Sequence, residues 1–240
     1  MPGWVALAAT PQSAAWAAAA RRVAEAMPLL PRRHGGTWFA GVDALPNARD
    51  GSIAGVPFAG PWEALPDFDP PAAWHPAQLS VVFPGYPRRD ADESDAAHAF
   101  RRDRDAGHVD GLLPEGPRRR RHLREPHAFI LGVALGDSTQ SPLVVWPGSQ
   151  KIIHSAFAAA LRGVAPAQWG DVDVTEAYQA ARRTVFATCP RVTVPLGPGG
   201  AVWLHRHLLH GVAPWGDAPD SPPRMMAYFR PLLADPADWL

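Results

Sequence analysis

The sequence predicts an all-β core with flanking helices, closed into a barrel-like jelly roll within one domain of 240 residues. Three observations carry that expectation. Proline and glycine together make up 49 residues, spread between short apolar runs and not gathered in one linker, which is the punctuation of a loop-rich β protein. The length suits a single jelly-roll domain. His210 lies a hundred residues after the pair His108 and Asp110, so a separate strand must bring it to them. No internal repeat and no domain boundary is visible. The N-terminal part, to about residue 77, reads as helical and extended, and residues 78–231 read as the β core.

The elements follow in chain order. Residues 11–27 are dominated by alanine and predict a helix. Thr37, Trp38 and Phe39 suit a strand. Further strands are expected at Leu79–Phe83, Gly107–Leu112, Ala128–Leu135, Leu143–Trp146, Arg191–Val194, Ala201–Leu209 and Met225–Arg230. Two helices interrupt them, Ile152–Arg162 after the Pro147-Gly148-Ser149 turn, and Val174–Arg183, where Asp173 and Glu176 resemble a capping box. Residues 85–106 and 114–126 are strongly charged and read as long loops flanking His108 and Asp110, at least one of them a lid.

Composition narrows the classes of function. The formal net charge is zero, so no overall field favours nucleic acid or an acidic membrane. Lys151 is the one lysine, Arg supplying the rest of the positive charge. Cys189 is the single cysteine, which rules out an intrachain disulfide and predicts a reducing compartment. No apolar run approaches a membrane helix, and no basic start precedes the Ala-rich N-terminus. The expectation is a cytoplasmic enzyme acting on a small molecule, without nucleic-acid or membrane partners.

The chemistry lies in DAGHVDGLLP, WLHRHLLHGVAP and PPRMMAYFRP. Two imidazoles and one carboxylate can hold one face of an octahedral Fe(II) and leave three positions for 2-oxoglutarate and O2. On an extended segment His108 and Asp110 point to one face. A chelating 2-oxoglutarate adds negative charge, so its far carboxylate needs a buried cation. Arginine's planar fork suits that task. Arg224 is preferred, at the start of the strand after His210, with Arg230 as competitor. His205 and His207 face away from His210 by alternation and read as hydrogen-bonded strand histidines.

The order His108-x-Asp110, then LVVWPGSQK, LHRHLLHG and the Arg of PRMMAYFRP resembles the phytanoyl-CoA dioxygenase family, a branch of the Fe(II)/2-oxoglutarate oxygenases, over about residues 78–231. The resemblance implies a double-stranded β-helix, iron at His108, Asp110 and His210, and 2-oxoglutarate held by Arg224. Val212 departs from the small hydroxyl residue common two positions after the distal His. Gln150 stands where His is usual, and Trp215 where Asn is frequent. A carboxylate at position 110 argues for hydroxylation over halogenation, with succinate and CO2 as coproducts.

Two other classes compete: a metal- or metabolite-binding β-barrel without activity, and a cupin-like metal enzyme. The second usually presents a His-x-His and a Glu, and needs no cosubstrate arginine. For the substrate, the sequence suggests a small anionic metabolite. Arg118, Arg119, Arg120, Arg121 and Arg124 would reach it from a lid, and Phe129 and Trp146 would line its pocket.

Overall fold

The structure is a computed structural model that describes residues 3–66 and 68–240. One wall is a six-stranded antiparallel sheet. In spatial order its strands are β1 (Trp4–Leu7), β9 (Ala201–His205), β6 (Phe129–Ala134), β11 (Arg224–Phe229), β3 (Ala77–Val82) and β2 (Trp38–Leu45). The opposing wall has three strands, β10 (His210–Val212), β7 (Leu143–Val145) and β8 (Val192–Val194). Ile130, Val202 and Leu204 of the first sheet pack against Leu143, Val145 and Val194 of the second. Two antiparallel sheets sharing an apolar interior make the jelly roll.

Period-two alternation decides what each strand shows the interior. On β11, Met225, Ala227 and Phe229 join the outer core, which leaves Arg224, Met226 and Tyr228 for the inner face. On β3, Ala77, Leu79 and Val81 face outward in the same way, and Gln78 and Ser80 face in. Helix α1 (Pro11–Glu25) covers the outer face. Thr10 and Ser13 form its capping box, and Trp16, Ala17, Ala20 and Ala24 are buried along one stripe. Trp16 packs 4.8 Å from Phe58 and 5.8 Å from Phe229, and its indole donates to the Gly51 carbonyl at 2.9 Å. Helices α3 (Ser149–Ala160) and α4 (Thr175–Thr188) cover the outer face of the small sheet, where Val144 and Trp146 meet Ile153, Phe157 and Val185. No helix among the described residues is long and apolar enough to cross a membrane.

Several expectations are corrected. Residues 107–111 do not form a strand: His108 makes an isolated bridge, and the chain turns at Asp110-Gly111, with Gly111 at φ +84°. The strand expected over 201–209 stops at His205, where a turn closed by Leu208 N–H donating to the His205 carbonyl at 2.8 Å redirects the chain into the other sheet. Residues 85–106 contain helix α2 (Asp95–Asp103), capped by Ser94 accepting from Ala97 N–H at 3.2 Å. Residues 114–126 contain most of a hairpin, β4 (Leu112–Glu115) with β5 (Arg120–Leu123). At α4 Asp173 does accept from Thr175 N–H at 3.0 Å, but Glu176 turns away to Arg120 at 2.8 Å, so no capping box forms.

Candidate metal centre

His108 and His210 are placed by backbone pairing. His108 N–H donates to the His210 carbonyl at 2.8 Å, and His210 N–H donates back at 3.0 Å. Directly opposed residues of an antiparallel bridge project to the same face, and here the two rings lie 4.6 Å apart. Each ring then fixes its own tautomer. His108 Nδ1 lies 3.0 Å from the Ala106 carbonyl, and His210 Nδ1 lies 3.0 Å from that of Leu208. A carbonyl only accepts, so each Nδ1 carries the proton and each Nε2 keeps a lone pair for a metal. Asp110 Oδ1 lies 3.2 Å from His108 Nε2 and 3.8 Å from His210 Nε2. All three ligand atoms fall within 4.8 Å of one another.

Two glycines allow that approach. A Cβ on Gly211 would stand 2.2 Å from the Asp105 carbonyl, which instead accepts from Val212 N–H at 2.9 Å. A Cβ on Gly111 would stand 2.2 Å from the Glu125 carbonyl. The Asp105 carboxylate is itself clamped by Arg191 through two 2.7 Å bonds. Behind the loop, Val109 N–H donates to the buried Tyr178 hydroxyl at 3.1 Å.

The electrostatics favour a cation. Burial alone would raise the Asp110 carboxyl, but His108, His210 and Arg230 hold it well below the usual range. His108 is raised: burial opposes protonation, and the Asp110 carboxylate outweighs it. His210 is pushed down to about 4, first by burial and then by His108. The carboxylate therefore stays ionised and His210 neutral, the state a metal needs.

The three side chains border a cavity of about 240 Å³ whose wall includes Trp38, Gln78, Ser80, Tyr228 and Arg230. Sequence reasoning named Arg230 only as a competitor for the cosubstrate and missed Trp38, Gln78, Ser80 and Tyr228, although polar residues at alternate positions of β3 and β11 carried a signal. Arg224 is buried and does not border the cavity directly. Its Nη2 donates to the Tyr228 hydroxyl at 3.3 Å, and its Nη1 is buried without a hydrogen-bond partner. Tyr228 thus links Arg224 to the cavity. Arg230 Nη1 lies 3.5 Å from Asp110 Oδ2, beside the candidate metal ligands.

The other expected site residues lie elsewhere. Phe129 points to the outer core, 5.5 Å from Phe68, because its neighbour Ile130 takes the inward position on β6. Trp146 likewise packs on the helix side, 5.3 Å from Phe186, leaving Leu143 to face the cavity. None of the five hairpin arginines borders the cavity. Arg120 pairs with Asp173 and Glu176, Arg121 donates to the Leu112 carbonyl at 2.9 Å, and Arg124 pairs with Glu115. Arg118 and Arg119 lie in the exposed turn of the hairpin. His207 is fully buried, but neither ring nitrogen finds a partner; it packs 4.5 Å from Trp239. A second cluster, His34, Asp90 and Glu93, has its carboxylates already engaged, Asp90 by the N–H groups of His34 and Gly35 and Glu93 by Arg101.

No family model and no curated protein matches the chain. Among solved structures it is similar to the non-heme alpha ketoglutarate dependent epimerase SnoN from nogalamycin biosynthesis, at 13% identity over 95% of this chain and 76% of that one, with a TM-score of 0.46. It is also similar to AviO1 from Streptomyces viridochromogenes Tue57, at 17% identity over 97% and 91% of the two chains, TM-score 0.45. EctD from S. alaskensis, solved with bound Fe, matches at 15% identity over 95% and 72%, TM-score 0.40. Likenesses of this size leave the chemistry to be argued from the chain's own side chains.

Proposed function

We propose that this chain is an Fe(II)- and 2-oxoglutarate-dependent dioxygenase that hydroxylates a small organic molecule, of the phytanoyl-CoA dioxygenase kind that the sequence motifs resemble. The observation that carries the reading is the ligand set itself: two Nε2 lone pairs and one carboxylate on one side of a cavity, their tautomers fixed from behind. The donors fit iron. There is no thiolate in the set, and a two-histidine, one-carboxylate face with open positions matches the preference of Fe(II) centres that use oxygen. The orphaned Nη1 of buried Arg224 fits the far carboxylate of 2-oxoglutarate.

His108, Asp110 and His210 would hold the ion. With 2-oxoglutarate and O2 it supplies the oxidising power that converts C–H to C–OH, releasing succinate and CO2. Arg224 binds the far carboxylate through Nη1, and the Tyr228 hydroxyl, which already accepts from Arg224, supplies the oxygen donor that Val212 lacks. Arg230 holds the second oxygen of Asp110 and keeps the carboxylate from rotating. Ile130, Leu143 and Val212 give the cavity an apolar side that excludes water. Incubation with Fe(II) and 2-oxoglutarate in air, followed by succinate analysis, tests the proposal. Succinate should form with the wild type and not with His210→Ala. Undiminished succinate from that variant, or none from the wild type, would overturn it.

A further inference from the structure

The metal cavity is not closed. Val42 and Arg230 form part of its wall, and both also line a second cavity of about 380 Å³ that opens outward beside it. Half of the residues that line this second space are apolar: Val42, Pro71, Ala73, Pro231 and Leu232. Four large hydrophobic residues are notably exposed among the described residues, and two of them, Val42 at 61% and Leu232 at 60%, meet here. Single exposed hydrophobics need no explanation, but two converging on a concave surface that adjoins a reactive centre do.

The histidines of the outer cavity lie beside its carboxylates. His75 Nδ1 lies 3.3 Å from Asp43, and His127 Nε2 lies 3.3 Å from Glu125. One nitrogen of each ring is committed to the Arg230 backbone, and the Asp43 and Glu125 carboxylates repel an anion. Arg230, at the threshold, faces Asp110 and is held on both sides of its backbone: its N–H donates to His75 Nε2 at 2.7 Å, and its carbonyl accepts from His127 Nδ1 at 3.0 Å. The threshold is therefore a fixed structure, and the space beyond it is an apolar shelf.

We infer that the substrate is an elongated molecule with an uncharged, ring-sized apolar body. Its reacting carbon lies over the metal, and its body passes Arg230 and rests between Val42 and Leu232. The inference rests on the oxygenase reading for its reacting end. It replaces the small anion expected from the hairpin arginines, none of which borders the metal cavity.

The test uses phenol and 4-phenylphenol as one-ring and two-ring probes, with biphenyl-4-carboxylate as a charged control. Each is titrated into Mn(II)-loaded protein while the broadening of its proton lines is followed. The two-ring phenol should bind about tenfold more tightly than phenol, since a second ring buries enough apolar area for that factor. Its distal ring should broaden less than its phenolic ring, and the carboxylate should gain nothing over the phenol. Val42→Asp and Leu232→Asp, both at exposed positions that tolerate a charge, should each remove most of the two-ring preference without changing Mn(II) affinity. Equal binding of both phenols, or a preference that survives both variants, would overturn the inference. Calorimetry on the metal-free protein separates this from the oxygenase reading. The ring preference and its loss in the variants should persist there even if Mn(II) or 2-oxoglutarate fails to bind.

Discussion

At the scale of single residues, the proposed metal centre leaves almost no spare room, and this makes sharp predictions. Gly211→Ala would drive a methyl group into the Asp105 carbonyl. It should cost about 1–3 kcal/mol of stability, the usual range for overpacking, and should weaken iron binding, because β10 carries His210. A denaturation midpoint and an Fe(II) titration measure the two effects. Arg224→Ala should weaken 2-oxoglutarate binding by about 2–4 kcal/mol, since a buried charge-assisted pair loses one partner, with iron affinity much less changed. Tyr228→Phe should cost about 0.5–1.5 kcal/mol in the same titration, the value of one hydrogen bond. If Arg230→Ala removed cosubstrate binding and Arg224→Ala left it intact, the two arginines would exchange roles.

At the scale of elements, the β4–β5 hairpin shows where sequence reading stops. The residue types and spacing of His108, Asp110 and His210 were legible because metal chemistry restricts both. The partners of the arginines were not. Arg120 meets Asp173 and Glu176 across a long stretch of chain, and no local pattern announces that contact. Parity failed for a related reason. Trp146 lies within LVVWPGSQK and Phe129 on the strand before it, and alternation turns both to the face away from the cavity. The break after His205 was hidden because LHRHLLH reads as one continuous apolar and polar strand, although a turn divides it between two sheets. The hairpin now carries its own prediction. Replacing Arg118, Arg119, Arg120, Arg121 and Arg124 with Gln together should leave the KM for the substrate unchanged and lower stability modestly, because exposed ion pairs are worth little. A raised KM would restore the lid.

At the scale of the whole molecule, buried histidines link stability to pH. His205 is pushed down to about 4 and His207 is lowered well below its ordinary value, in both cases first by burial and then by neighbouring basic groups. In the unfolded chain both take up protons near their ordinary value of about 6.5. A depressed folded value means the unfolded state binds more protons as the pH falls, so stability should be full above 6.5 and decline from there toward 4. His207 also packs against Trp239, and the neighbouring Arg206 holds the Trp239 and Asp238 carbonyls, so the C-terminal turn should loosen first. Denaturation midpoints at several pH values, compared with those of His207→Phe, check this: the variant should show a shallower decline, and an equal slope would remove His207 from the account.

The jelly roll exists, on this reading, to bring two bridged histidines and one carboxylate to an open cavity with a buried arginine beside it. The most direct measurement is an anaerobic titration of 2-oxoglutarate into the Fe(II)-loaded protein, followed by visible absorption for the metal-to-ligand charge-transfer band of a chelated cosubstrate. The band should grow to one equivalent, be absent in His108→Ala, Asp110→Ala and His210→Ala, and need far more 2-oxoglutarate in Arg224→Ala. Failure of the wild type to bind Fe(II), or a band of full strength in His210→Ala, would contradict the assignment of the centre.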